Sequence, residues 1–188
     1  YKNIEILNNY YDDKCTEKYI ESVIVCNKLY KRKLFENIYF PIGKVHEDEF
    51  ITHKVIYKAN KVVRTGDIMY FYRNTNNSIT NRKFNSSKLF FLEALEERCK
   101  FFEDNNEEEL YEKTLNKYGK MIKIYYSKCK FLIENNHDIL QQLKKKYKEV
   151  FSIYIKNNYL STGDIICSYI FYIMPNLYAL MIKIRGKY

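Results

Sequence analysis

Phe40-Pro41-Ile42-Gly43-Lys44-Val45-His46-Glu47-Asp48-Glu49-Phe50 joins a turn to a run of three acids, and the rest of the chain is organised around it. Pro41 fixes its own φ and lacks a backbone donor, and Gly43 follows two residues later, so the chain must turn here. Three consecutive carboxylates then stand where a helix starts. Acids in a first helical turn meet the positive end of the helix dipole, which favours their ionised form. Taken alone, this chemistry describes a charge-complemented helix start, and any function must come from its surroundings.

Working outward, Ile51, Val55 and Ala59 share one helical face with Ile56 beside them, which predicts an amphipathic helix over 47–59. Beyond it, Lys61-Val62-Val63-Arg64 and Asp67-Ile68-Met69-Tyr70-Phe71-Tyr72-Arg73 read as short strands around a turn at Gly66, and 74–78 as a polar loop. On the other side, Ile4, Leu7 and Tyr11 predict a short helix over 3–11. Ser22-Val23-Ile24-Val25-Cys26 is a compact apolar run bounded by polar residues and reads as a buried strand. The basic run Asn27-Lys28-Leu29-Tyr30-Lys31-Arg32-Lys33-Leu34-Phe35 leaves it and enters a short helix. This order of elements predicts an α/β or α+β unit over residues 1–80, with short mixed strands.

From Asn81 onward the pattern becomes helical. Leu92, Leu95, Cys99 and Phe102 form one stripe, and Tyr111, Leu115, Tyr118, Ile122, Tyr125, Cys129 and Leu132 form a longer one, alternating four and three residues apart. Leu140, Leu143, Tyr147, Val150 and Tyr154 make a further seam after a polar link at 134–138. The two seams predict an antiparallel helical hairpin that packs internally, although the extension also offers a surface for oligomerisation. Residues 165–182 are apolar but interrupted by Pro175-Asn176, so two shorter helices are expected there rather than a membrane span. They pack on the domain or lie at an anionic membrane surface, with Lys183, Arg185 and Lys187 toward the headgroups. Residues 81–188 are thus read as an all-α extension.

Composition narrows the class without naming it. The 188 residues are 46% hydrophobic and carry a formal charge of +9, enough for a buried core and attractive to anionic partners of several kinds. The five cysteines are scattered with no C-x-x-C pair, as free thiols in a reducing compartment would be. The basic runs at 28–33 and 144–148 fall between apolar seam positions, as solvated helix faces do, and nucleic acid is not the expected partner. His46-Glu47 begins like a zinc-protease helix, but position 50 is Phe where the second His is needed. His53 lies two turns on, too far to share an ion with His46. No glycine-rich phosphate loop and no local Ser/His/Asp motif is present.

The motifs gain meaning as a set. Asn27-Lys28-Leu29-Tyr30-Lys31-Arg32-Lys33-Leu34-Phe35, then Phe40-Pro41-x-Gly43-Lys44-x-x-Glu47-Asp48-Glu49-Phe50, then Tyr70-x-Tyr72-Arg73 and Asn77-Ser78-Ile79 resemble, in order and spacing, the C-terminal half of bacterial family 2 glycosyltransferases. These are inverting enzymes of the GT-A fold. The resemblance spans about residues 17–80, with the helical remainder similar to their variable tail.

It implies that Asp48 is the general base, accepting a proton from an acceptor hydroxyl as that oxygen attacks the anomeric carbon of a nucleotide sugar. It also implies that Glu47 orients the acceptor or a basic neighbour. By the same resemblance, Arg73, Tyr72 and Lys28 contact the acceptor or the departing diphosphate, and His46 approaches the metal or phosphate. The acceptor would be a saccharide or lipid-linked, in cell-surface polysaccharide synthesis on the cytoplasmic side, peripheral to the inner face of the membrane.

One departure stands out. The family binds its nucleotide and divalent ion, Mn or Mg, through an Asp-x-Asp element in the preceding half, and no Asp-x-Asp occurs here; Asp12-Asp13 is an adjacent pair in a polar link. The chain opens on Tyr1 with no initiator Met, as a piece of a longer protein would. It is therefore expected to hold the acceptor side of the site and to be inactive alone. The competing reading is a non-enzymatic helical module that binds a partner or an anionic membrane through its basic tail.

Overall fold

The computed structural model describes residues 1–11, 16–71, 73 and 83–186. They fall into two compact units, Tyr1–Lys83 and Phe84–Tyr188.

The first unit is built from α1 (Asn3–Asn8), α2 (Thr16–Val23) and α3 (Glu47–Tyr57), with 3-10 turns at Asn9–Tyr11 and Arg32–Phe35. α3 is its core, with Phe50, Ile51, Val55 and Ile56 buried together with Leu7, Tyr10 and Val23. α1 and α2 both pack on α3. The Asn3 side chain donates to the Tyr57 carbonyl at 2.7 Å, tying the start of α1 to the end of α3.

The expected α/β class is corrected by this structure: the described residues contain helices and no strand. Ser22 and Val23 close α2, and Ile24 still donates to the Ile20 carbonyl at 3.0 Å, so the run taken for a buried strand is a helix end followed by a bend. A short apolar run fits either state by pattern alone. The segment from Lys61 to Phe71 is non-helical but unladdered. Tyr1 and Val62 exchange two backbone hydrogen bonds, of 2.9 and 3.0 Å, and that pair is not continued. Val63 is 77%, Ile68 97% and Phe71 86% exposed, so these apolar side chains do not form the buried face of a sheet. Extended residues become a strand only when a neighbour supplies a ladder, and local sequence does not reveal whether one exists.

The second unit holds α4 (Phe90–Asp104), α5 (Glu108–Leu132), α6 (His137–Tyr154), α7 (Thr162–Ile173) and α8 (Pro175–Ile184). α4, α6 and α8 pack against α5. Leu115, Tyr118, Ile122, Tyr125 and Cys129 of α5 and Leu143, Tyr147 and Tyr154 of α6 lie in one buried cluster. The turn between α5 and α6 is closed by Asn136, whose amide donates to the carbonyls of Cys129 (3.0 Å), Lys130 (3.2 Å) and Ile133 (2.9 Å) and so satisfies the open end of α5. At the other end Asn157 donates to the Glu112 carbonyl at 2.6 Å, so the two helices run antiparallel. Burial pushes the thiols of Cys99 and Cys129 up to about 12 and 11, which leaves both protonated and unreactive. Met174 leaves the helical region (φ −131°, ψ 67°) and Pro175 starts α8, as the restriction before a proline demands.

Two details of this bundle are sharp enough to test. A Cβ built on Gly119 would lie 2.4 to 2.7 Å from three ring carbons of Tyr154, and that ring is fully buried. Gly119→Ala gains roughly 1 kcal/mol of helix propensity but must displace a ring with nowhere to go. A net loss of about 1 to 3 kcal/mol is expected, read from the urea midpoint.

Nearby, Lys123 is 2% exposed and donates to Ser168 Oγ at 2.9 Å and Tyr154 Oη at 3.3 Å, with the Tyr154 ring 5.2 Å away. Burial pushes its ammonium down to about 8, against the opposing pull of Asp164 and Cys167. Between that value and the unfolded value of 10.5 the unfolded chain binds the extra proton, so stability rises with pH there. The buried phenols of Tyr118, Tyr147 and Tyr154 are shifted upward, which reverses the trend above pH 10. Urea denaturation should therefore show stability climbing from pH 8 to 9.5, by at most about 1.4 kcal/mol per pH unit. Lys123→Met should flatten the climb.

Candidate functional site

The site is assembled by a bend laid against the start of α3. Asn27 adopts φ 57° and lets the chain reverse after α2, while Gly43 (φ 76°) and His46 (φ 64°) bring it into α3. A side chain at Gly43 would be strained by the left-handed backbone even though the space around it is open. An Asn before Lys28 tolerates the left-handed region better than most residues. Phe35 anchors the intervening loop, meeting Tyr30 edge-on at 5.2 Å and stacking on Phe40 at 6.4 Å. Lys44 lies 5.0 Å above the Phe50 ring.

The three carboxylates at the start of α3 go to three different places. Glu49 is buried and accepts from the Tyr19 hydroxyl. Glu47 points to solvent. Asp48 is half-buried; its carboxylate accepts the Val25 N–H, while Oδ1 is buried with no hydrogen-bond partner among the described residues. Burial, and then the charge of Glu47, push Asp48 up to about 6, against the Val25 hydrogen bond; Glu49 adds to the rise and Lys28 opposes it. Such a carboxylate is largely ionised at neutral pH yet more basic than an exposed one, a combination suited to taking up a proton.

Lys28 and Tyr30 complete the cluster. Lys28 Nζ donates to the Ile24 carbonyl, and its pKa is lowered by burial, with the charges of Cys26, Asp48 and Glu21 opposing. Tyr30 Oη is buried without a partner among the described residues, and burial, then the Asp48 charge, raise its pKa. Of the residues expected from sequence, Asp48, Glu47 and Lys28 thus come together. Arg73 is exposed and makes no hydrogen bond or ion pair with the described residues, and Tyr72 lies outside them. His46 sits at the start of α3 as its N-cap. Tyr30 was not singled out as a site residue; its place in the Asn-Lys-Leu-Tyr run, two residues from Lys28, was the available signal.

No group of three or more His, Cys, Asp or Glu among the described residues could hold a metal ion. Glu47, Asp48 and Glu49 diverge rather than converge, so this cluster does not fit a divalent ion. What the cluster offers is one basic carboxylate oxygen, one phenol and one ammonium.

Two proteins of Streptococcus pneumoniae serotype 4 are similar to parts of this chain. Glycosyltransferase GlyA is 36% identical over 73 residues, which cover 39% of this chain and 10% of that protein. Glycosyltransferase GlyG is 35% identical over 60 residues, covering 32% of this chain and 20% of that protein. The similarity is partial and supports glycosyl transfer in general terms; the matched segments span only a tenth and a fifth of these relatives. No protein-family model matches the chain. No solved structure matches it either.

The upward shift at Asp48 has a consequence for stability. Its folded value of about 6 exceeds the unfolded 3.8, so the folded chain holds the proton more tightly and loses stability as pH rises between those values. Above pH 6 the buried charge is a standing cost. Asp48→Asn should stabilise the protein at pH 7.5 by about 1 to 3 kcal/mol and have little effect at pH 4, measured by urea denaturation at both pH values.

Proposed function

We propose that this chain carries the acceptor-facing part of an inverting glycosyltransferase, with Asp48 as the general base. The observation that supports it most is the state of Asp48: half-buried, raised to about 6, with Oδ1 unpartnered beside Lys28 and Tyr30. The partial similarity to two glycosyltransferases supports the reaction class. The ordered motifs from Asn27 to Asp48 support the family 2 resemblance, although the α/β fold that the resemblance implied is not what these residues adopt.

In this reading an acceptor hydroxyl donates to the Asp48 carboxylate, with Tyr30 and Lys28 in its electrostatic neighbourhood. As its oxygen attacks the anomeric carbon of the nucleotide sugar, the proton passes to Asp48. The bond from that carbon to the diphosphate breaks, and its electron pair leaves with the nucleoside diphosphate. A single displacement inverts the anomeric centre. Lys28 offsets negative charge beside the carboxylate, and Arg73 binds diphosphate oxygens. The donor is a hexose nucleotide and the acceptor a saccharide or lipid-linked saccharide, as in cell-surface polysaccharide synthesis. The divalent ion implied by the resemblance has no ligand set among the described residues.

Asp48→Asn, placed in the longest natural polypeptide that carries these residues, should lower transfer by roughly a hundredfold or more with an unchanged circular dichroism spectrum. The wild-type rate should rise with pH through an inflection near 6. Undiminished transfer by the Asn variant removes Asp48 from the chemistry.

A further inference from the structure

We propose that the outward face of α7 and α8 docks on an anionic lipid surface. From Ile165 to Ile182 no residue is charged. The inward side of both helices is already occupied, with Ser168, Phe171, Tyr178 and Ala179 buried against the bundle. The outward side is nonetheless apolar: Ile166, Tyr169, Ile173, Leu177, Leu180 and Ile184 are exposed, Ile173 by 68% and Ile184 by 77%. They recur three, four or seven residues apart, as one face of each helix requires. A helix that is apolar all round is ordinarily covered on every side.

Two further features select the occupant. The first is length: α7 has 12 residues and α8 has 10, about 18 and 15 Å each, and Pro175 separates them. A hydrocarbon core is about 30 Å thick, and no helix among the described residues is long and apolar enough to cross a membrane. The pair is therefore suited to lying in an interface, where the Tyr169 and Tyr172 rings, which pack against Phe151 and stay partly exposed, are also favoured.

The second is charge. Lys183 and Arg185 are exposed at the C-terminal end of α8, and Lys130 reaches Asn176 at its N-terminal end with a 2.7 Å bond. Lys183 also stacks on Phe131 at 4.5 Å, which holds its ammonium beside the bundle. No acid occurs between Ile165 and Arg185. An apolar strip with basic groups at both ends complements an anionic bilayer. A two-fold pairing of this face with a second copy would gather the Lys183 and Arg185 charges of both copies, and Asp164, the acid on these helices, already pairs with Lys120 at 3.5 Å.

The test uses the 188-residue chain and vesicle flotation, with vesicles of phosphatidylcholine alone or mixed with phosphatidylglycerol. The chain should float with the mixed vesicles, less so as salt is raised, and only weakly with phosphatidylcholine. Lys183→Gln with Arg185→Gln should weaken partitioning roughly thirtyfold. Ile173→Glu with Leu177→Glu should abolish it, and since both side chains are exposed the circular dichroism spectrum should not change. Asp48→Asn should float like the wild type, which separates this proposal from the assignment of Asp48. It is overturned if the folded chain ignores the mixed vesicles, if the Glu pair floats like wild type, or if sedimentation velocity shows that the face makes a dimer that does not bind lipid.

Discussion

The tightest constraint in the helical unit is the absence of a side chain at one position on its central helix. Gly119 lets the Tyr154 ring lie directly on the α5 backbone, and no other residue leaves that room. With the ring seated there, its hydroxyl stands 3.3 Å from Lys123 Nζ, and the same ammonium reaches Ser168 on α7 at 2.9 Å. One close approach therefore sets the spacing of α5 and α6 and gives α7 a polar anchor in an otherwise apolar core. Around it the rings of Tyr147, Phe171 and Tyr178 meet edge-on at 4.7 to 5.4 Å, so their packing is directional as well as dense. The Lys123 charge is tolerated there because two hydroxyls and the faces of several tyrosines replace its water.

At the start of α3 two electrostatic effects compete, and burial prevails. A first-turn carboxylate on a helix should be more acidic than usual, and the Val25 N–H and Lys28 act in the same direction. Desolvation and two flanking glutamates act against them, and the outcome is a value about two units above that of a free aspartate. The dipole argument, taken alone, has the wrong sign here because it assumes a solvated carboxylate. What the fold does with Glu49 is part of the cause: turned inward to Tyr19, it leaves a second negative charge within reach of Asp48.

The parts of this molecule that could be read from sequence are those governed by local period. The α5 stripe from Leu115 to Cys129 is buried, and the apolar tail breaks at Pro175, because helical burial repeats every three or four residues and a proline cannot continue a helix. The α/β reading failed where it depended on partners far away in the chain. Val62, Val63 and the run Ile68 to Phe71 have the β-branched and aromatic composition of strands, yet nothing local reports whether a ladder forms. α2 was missed for the opposite reason: Ser22 to Cys26 matches a strand by composition, while the helix is set by the residues before it, from Thr16 onward. In the candidate site, the motifs single out Asp48 and Lys28, whereas Tyr30 joins them only through the bend at Asn27 that lays it near the carboxylate.

The open hydrogen-bonding positions at Asp48 and Tyr30 are worth setting against the bundle's habits. In the bundle Asn136, Asn157 and Lys123 spend their donors on internal partners, whereas Asn116 Oδ1, like Thr52 Oγ1 on α3, is buried with no hydrogen-bond partner among the described residues. A buried donor or acceptor left unmade costs about 1 to 3 kcal/mol, and at Asp48 and Tyr30 two such costs fall within one electrostatic neighbourhood. Filling the space with apolar atoms would remove the cost, and so would a neutral residue at position 48. The chain instead keeps one carboxylate oxygen and one phenol open near Lys28, whose ammonium also donates to the Ile24 carbonyl. In the proposed reading this carboxylate takes the acceptor's proton, and the burial that makes its charge costly is the same property that raises its basicity.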